Sequence, residues 1–344
     1  MASSQAGSPS ASQAGSSPRG REVTRARVAV TGSSGLIGRA LVASLRADGY
    51  DVIRLVRLQS LPGRAPGRDD AVSRWNPGAA DGGLDPAAMT GVTAVVHLAG
   101  AGIGDKRWTE ARKAELRDSR IKATRALSSG LAKLAKPPAT LLCASAIGWY
   151  GDTSGRDVDE DSPAGSGFLP TLVKDWEAAA DPARTAGIRT AHLRSGLVLA
   201  SGGGTLAKMV PVFKLGLGTR LGPGTQYMSW ISLADEIGAI RFLLDRPDVA
   251  GPVNLTAPNP VTNAEFTAAL DATLGRPKVF RLPVPGLRLP SGGVGVPGQA
   301  LRLALGEMAG ELLASARVLP HRLIEADYHF SHSYITPALR YALG

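Results

Sequence analysis

The chain has 344 residues, 44% of them hydrophobic, which suits one large α/β domain or two coupled ones around a sizeable core and excludes a fibrous or wholly disordered protein. Its formal charge of +10 (39 Lys and Arg against 29 Asp and Glu) does not point to nucleic acid: Arg19, Arg21, Arg25 and Arg27 sit in or beside a Ser/Gly/Pro-rich start, the other basic residues are scattered among acids, and aromatics make up only 5%. No apolar run approaches the roughly 20 residues of a membrane helix and no secretory signal opens the chain, while the single Cys143 excludes a disulfide framework or a multi-thiolate zinc site. A soluble, cytoplasmic protein is expected, with Cys143 a small buried thiol in a strand.

Residues 1–25 read as a disordered leader, too poor in apolar side chains to offset the entropy of ordering. From "RVAVTG" onward, short β-branched runs alternate with helical patterns, the signature of a parallel sheet with crossover helices. The expected strands are 28–30, 51–56, 93–100, 140–145, 189–194 and 252–256. Between them Ile37, Leu41 and Leu45 recur at helical spacing, as do Ile121, Thr124, Leu127, Leu131 and Leu134. After about residue 200, Gly/Pro-rich loops separate isolated helices. "SLAD" (232–235) and "TNAE" (262–265) have the form of capping boxes, and "ALRLALGEMAGELLASARV" reads as one last amphipathic helix. This second half is expected to be interleaved with the sheet as a substrate or lid region.

"VAVTGSSGLIGRAL" places Gly32, Gly35 and Gly38 between a strand and a helix. Such a turn needs glycine to bend tightly and to let a pyrophosphate reach the free N–H groups of the helix start. The spacing is Gly-x-x-Gly-x-x-Gly; a ligand-free glycine turn is the alternative, but the flanking elements fall where dinucleotide binding requires them. At the end of the second strand an acid would bond the ribose diol of NAD, whereas an arginine takes a 2′-phosphate. "RLVRLQ" has Arg57 there and no acid nearby, so NADP is expected over NAD, with a plain surface arginine as the alternative.

"TGSSGLIG", "HLAGAGI", "KRWTEARKAELRDSRI", "ASAIGWYGD", "GFLPTLVKDWEAAA", "LRSGLVLASGGGTLAKM" and "LGLGTRLGPGTQYMSWISLADEI" occur in the order seen in the epimerase-like branch of the atypical extended short-chain dehydrogenases/reductases, which the chain resembles from about residue 27 to its end. Its tail resembles the C-terminal domain of unknown function that marks this branch. The resemblance implies an α/β fold, a Rossmann-type doubly wound parallel sheet with a smaller C-terminal substrate or lid region. In these terms residues 26–255 form the NADP-binding domain, with substrate-region segments from about 200, and residues 256–344 the C-terminal region. It further implies that Gly32, Gly35, Leu36, Ile37 and Gly38 meet the pyrophosphate and Val56 and Arg57 the adenosine end. Leu98, Ala99 and Gly100 line the adenine and ribose, and Val198 approaches the nicotinamide. Glu115 and Arg120 match positions near the cofactor; read from the residues alone they are an exposed helical pair.

Extended members of this superfamily work with a Ser/Thr hydroxyl and a Tyr-x-x-x-Lys pair, in which the lysine lowers the phenol's pKa so that it can exchange a proton as hydride moves. No tyrosine of this chain is followed by lysine four residues later, and Pro170 stands four before Lys174. Ser145 is the candidate hydroxyl, although alignment on "YG" shifts the match to Ala146. Tyr150 is either a replacement phenol or a structural tyrosine, and Lys174 either a ribose contact or a surface lysine. His329 and His332 lack an acid or thiol cluster that would complete a metal site, and none is expected. Tyr227 and Trp230 are pocket wall or core. Two functions compete: an NADP(H)-dependent oxidoreductase or epimerase acting on a small polar or sugar-like molecule, and a non-catalytic NADP-binding regulatory or scaffold protein. Oligomer formation is left open; neither nucleic acid nor membrane is an expected partner.

Overall fold

The computed structural model describes residues 26–57, 71–79, 82–215, 218–275, 279–281, 288–290 and 295–344. The reading of residues 1–25 as a leader lies outside the described residues.

The runs of β-branched residues become β1 (Arg27–Thr31), β2 (Asp51–Val56), β3 (Val72–Arg74), β4 (Val92–His97), β5 (Thr140–Ala146), β6 (Arg189–Ser195) and β7 (Gly251–Leu255), which share one sheet. Their spatial order is β3-β2-β1-β4-β5-β6-β7, and every neighbouring pair is parallel. The order reverses between β1 and β4, and the carboxyl ends of strands at such a reversal are where doubly wound sheets take their ligands.

Helices α1 (Leu36–Ala47), α2 (Glu110–Ala132), α3 (Phe168–Ala178) and α4 (Asp181–Thr185) fall between the sheet strands. The second half adds α5 (Gly204–Lys214), α6 (Leu233–Leu244), α7 (Asn263–Thr273), α8 (Gly298–Leu305), α9 (Met308–Leu313), α10 (His321–Glu325) and α11 (Ile335–Leu343). Alternation along the strands sorts side chains to two faces. Val28, Val30, Leu142 and Leu193 pack with Leu41 and Leu45 of α1 and Ile237 and Ile240 of α6. Ala29, Val95, Leu141 and Cys143 pack on the other face with Leu127 and Leu131 of α2 and Ala183 of α4. Each large side chain so enclosed stabilises the fold by about 1.5–3 kcal/mol.

A third core lies under the second half, where Trp230, wholly buried, packs with Leu206, Phe213, Phe266, Leu270 and Leu339 and donates its indole N–H to the Asn259 carbonyl at 3.2 Å. Trp230 is thus core, whereas Tyr227 is half-buried beneath the Arg317 guanidinium. Helix α6 starts at Ser232, whose hydroxyl accepts the Asp235 N–H, and α7 starts at a complete capping box between Thr262 and Glu265.

Two expectations are corrected. The strand predicted to run to Gly100 stops at His97: the Leu98 N–H is shared between the Thr31 hydroxyl (3.1 Å) and the Thr31 carbonyl (3.4 Å), and residues 98–100 lie outside the sheet. The predicted last helix is broken into α8 and α9 by Gly306, whose φ of +64° is a left-handed conformation that ends a helix, and α10 and α11 follow it.

The C-terminal segment is stitched into the rest. Ser229 donates its hydroxyl to the Ala316 carbonyl and accepts the Val318 N–H, and Asn254 of β7 donates to the Leu319 carbonyl. The Asp235 carboxylate, fully buried in the first turn of α6, accepts the backbone N–H groups of Ser331 (2.6 Å) and His332 (3.0 Å) and the Ser232 hydroxyl. His332 therefore has a structural environment, and among the described residues no group of three or more His, Cys, Asp or Glu could hold a metal ion. Removing a buried acceptor strands the N–H groups it served. Asp235→Ala is expected to lower stability by about 3 kcal/mol, read as a lower urea midpoint at unchanged slope.

Candidate functional site

The turn between β1 and α1 is built by close backbone approach. Gly32 has φ +65°, and a Cβ there would lie 2.5 Å from the Leu98 carbonyl carbon and oxygen; a Cβ at Gly38 would lie 2.2 Å from the Gly32 oxygen. No larger residue fits either place without moving main chain. The Gly35 N–H closes the turn on the Gly32 oxygen at 2.9 Å. Gly35 is also the N-cap of α1, with no side-chain cap and no acid in the first turn, and a helix start of this kind favours negative charge. Leu36 leans on the Gly203–Gly204 loop, where a Cβ at either glycine would lie 3.4 Å from one of its methyls, and the Val198 carbonyl lies against that loop too. The cradle and the Val198 segment thereby meet.

At the end of β2, Val56 is half-buried and Arg57 exposed, with no acid at that strand end among the described residues. The sequence gives no sign of two further groups here: Ser33 is buried in the cradle, and Arg54 donates its Nε–H to the Ser33 hydroxyl at 3.2 Å. A second arginine, in the strand that ends just before Arg57, therefore reaches the glycine turn.

The loop Leu98–Gly100 is carried by a buried polar chain. His97 has no exposed surface; its Nδ1 pairs with the Thr31 hydroxyl at 2.7 Å and its Nε2 with the Thr124 hydroxyl at 3.0 Å, which also accepts the Trp176 indole N–H. Burial lowers its pKa to about 4, so the ring is neutral and braces β4 against α2. Arg120 is no exposed helical partner of Glu115. It is buried beneath this loop, donates to the Ala101 carbonyl at 2.8 Å, and lies over Trp176; a Cβ at Gly100 would be 3.5 Å from its guanidinium carbon. Burial, helped by nearby Arg112, lowers its pKa to about 10. Half-exposed Glu115 pairs instead with Arg112 at 2.6 Å, and Arg112 holds the Gly102 carbonyl.

At the ends of β5 and β6 the candidate catalytic groups meet a charge pair invisible in the sequence. Ser145 is buried and donates to Glu177 Oε1 at 2.6 Å. Arg194 of β6 grips both oxygens of the same carboxylate, at 2.8 and 2.9 Å, stacks 3.9 Å from the Trp149 ring centroid, and donates to the Tyr150 oxygen at 3.1 Å. Tyr150, also buried, donates onward to Asn254 Oδ1 at 2.8 Å. Burial pushes the Tyr150 phenol up to about 12 against the pull of Arg194, so it keeps its proton. Ser145 and Tyr150 are thus joined through Arg194 and Glu177, while Lys174 is exposed on α3 and no hydrogen bond or ion pair joins it to them among the described residues. Pro170 is buried, with its ring against Gly151.

A second hydroxyl and carboxyl lie on the other face of β6. Ser195 donates to Glu236 Oε1 at 2.7 Å; Glu236 is fully buried in α6 and its Oε2 has no partner among the described residues. In the sequence Glu236 looks like an acid suited to the first turn of any helix, and nothing near it signals a buried site.

The chain matches the NAD dependent epimerase/dehydratase family over residues 28–255 and a domain of unknown function (DUF1731) over residues 296–342. The chain belongs to the NAD-dependent epimerase/dehydratase family. Among similar proteins, epimerase family protein Mb2239 of Mycobacterium bovis is 47% identical over 321 residues, covering 93% of this chain and 98% of the relative. Human epimerase family protein SDR39U1 is 34% identical over 320 residues, 91% of this chain and 98% of that one. The crystal structure of human SDR39U1 with NADPH superposes with a TM-score of 0.77 at 31% identity, covering 92% and 98% of the two chains. A nucleoside-diphosphate sugar epimerase from Corynebacterium glutamicum gives 0.71 at 32% identity, over 93% of this chain and 58% of the other. In this member of the family no tyrosine is followed by lysine four residues later, and Pro170 stands four residues before Lys174.

Removing one partner of a buried ion pair strands the other. Glu177→Gln should cost about 3–5 kcal/mol in guanidinium unfolding, and the double change Glu177→Leu with Arg194→Met should recover part of that loss.

Proposed function

We propose that the chain binds NADP(H) and acts as an oxidoreductase or epimerase of the short-chain dehydrogenase/reductase type on a small polar or sugar-like molecule in the cytoplasm. The observation that carries the binding half is the cradle: Gly32 and Gly38 sit where any Cβ would strike main chain, at an uncapped helix start. A group that needs backbone N–H donors and no side chains fits there, as a pyrophosphate does. Arg57, with Arg54 on the same strand, supplies positive charge for a 2′-phosphate, and the described residues at that strand end offer no acid for a free ribose diol. Human SDR39U1, crystallised with NADPH, supports the same choice.

Bound nicotinamide would supply hydride chemistry; the chain would supply the pocket and the proton. For this Ser145 is the candidate near the end of β5, with Tyr150 and Lys174 as weaker ones. Ser145 and Tyr150 both turn their hydroxyl protons inward, to Glu177 and Asn254, and this favours a second reading in which the dinucleotide is held without turnover, as a regulatory or scaffold ligand.

Arg57→Glu is expected to weaken NADPH by about tenfold or more, on the scale of a charge-assisted phosphate contact, and NADH far less, measured by quenching of intrinsic fluorescence. Equal losses would remove the 2′-phosphate assignment. NADPH oxidation over a panel of carbonyl compounds and nucleotide sugars separates the two readings. Turnover that disappears in Ser145→Ala supports catalysis; tight binding with no turnover supports the second.

A further inference from the structure

A hydroxyl and a buried carboxyl meet at the end of β6, on the face away from the Arg194–Glu177 pair. Ser195 is the last residue of β6, in register with Ala146 of β5 and Leu255 of β7, so it lies at the sheet's carboxyl edge between two neighbouring strands. Ser195 and the three residues that follow it, which leave the sheet to pair with Trp230–Ser232, are only half-buried. Ser195 thus keeps surface at the sheet's carboxyl edge, and the resemblance puts the nicotinamide end beside Val198. Behind the Ser195 hydroxyl stands Glu236, with one oxygen bonded to Ser195 and the other buried with no hydrogen-bond partner among the described residues.

Compare Glu177, reached from the preceding residue of the same strand. Arg194 holds both of its oxygens, so that carboxylate has a permanent counter-charge. Glu236 has none among the described residues. The titratable groups around it are Asp235, tied down by the Ser331 and His332 N–H groups, and the Tyr328 phenol, which donates to the Asp235 carbonyl; His332 lies beside Asp235, and Arg241 on the next turn is paired with Asp48. With no such cation to offset it, burial raises the Glu236 pKa to about 7, opposed only by the Ser195 hydrogen bond.

Resting on the NADP(H) reading above, we propose that Ser195 and Glu236 form a proton-holding pair at the floor of the dinucleotide groove, through which the chain distinguishes the oxidised, positively charged nicotinamide ring from the reduced, neutral one. A positive ring nearby favours the ionised carboxylate, so binding of the oxidised cofactor expels the Glu236 proton to solvent. Binding of the reduced form does not. By linkage, raising the pH through neutrality ionises Glu236 and tilts the chain toward the oxidised cofactor, and lowering it tilts the chain toward the reduced one.

The test is calorimetry of NADP+ and NADPH binding to the full chain, in buffers of different ionisation enthalpy, from about pH 5.5 to about pH 8.5. Near neutrality NADP+ should release a sizeable fraction of a proton more than NADPH does. The ratio of NADP+ to NADPH affinity should rise about tenfold across the range for each unit by which the ring lowers the Glu236 pKa. The 2′-phosphate titrates near pH 6 but is common to both cofactors and cancels in the ratio. Glu236→Gln should make the ratio independent of pH, and Ser195→Ala should move the transition to higher pH, since it removes the hydrogen bond that favours the carboxylate. Binding of both cofactors with a pH-independent ratio in the native chain, or a native-like transition in Glu236→Gln, overturns the proposal. Failure of both cofactors to bind overturns the NADP(H) reading and this inference with it.

Discussion

The Arg194–Glu177 pair is the contact on which the centre of the molecule depends. A guanidinium at the end of a central strand cannot be hydrated there, and only a bidentate carboxylate with an aromatic face and a phenol can replace that water. Glu177 supplies the first, Trp149 the second and Tyr150 the third. Because these partners come from α3 and from the turn after β5, satisfying one charge fixes the tilt of a helix and the path of a loop. Tyr150 then carries the connection to Asn254 in β7, whose backbone N–H donates to Glu160 and whose amide reaches Leu319. One charge thus binds three strands and the C-terminal segment to the same point.

The pair also divides the groove electrostatically. Toward α3, the carboxylate has its guanidinium and the buried hydroxyls of Ser145 and Tyr150 have their acceptors, an arrangement whose partners are fixed. Toward α6, Glu236 is buried with a serine for company, so its charge is free to follow what enters the groove. Rigid positioning and titration are assigned to opposite faces of β6, whose successive residues Arg194 and Ser195 point opposite ways as strand geometry requires.

What could be read in the sequence was local. The glycine turn, the six longer sheet strands and the helix starts at Ser232 and Thr262 each announce themselves within a few residues, through side-chain period or capping chemistry. The decisive partners do not. Glu177 sits in "KDWEAAA", which reads as a helix surface, and Arg194 sits in a strand whose pattern names no partner; only folding sets them in contact. Arg120 looks like a solvated helix residue because nothing in its neighbourhood foretells that the Gly100 loop will close over it. The broken last helix is a different failure: its apolar spacing continues across Gly306, and the glycine that ends it was in plain view. Strand β3 and the paired segments of two or three residues are made by tertiary contact and have no pattern of their own.

The stitching of the C-terminal segment bears on how the chain is made. Asp235 waits for Ser331 and His332, Ser229 for Val318, and the third core for Leu339, so the sequence separations closed last are close to a hundred residues each. On a ribosome the chain emerges N-terminus first, and the sheet with its two covering layers can form early. The space left for α11 is then an exposed apolar trough beside a carboxylate without its donors, and it persists until residues 331–343 are in place. Until those contacts close, a nascent chain of this design needs protection from its neighbours.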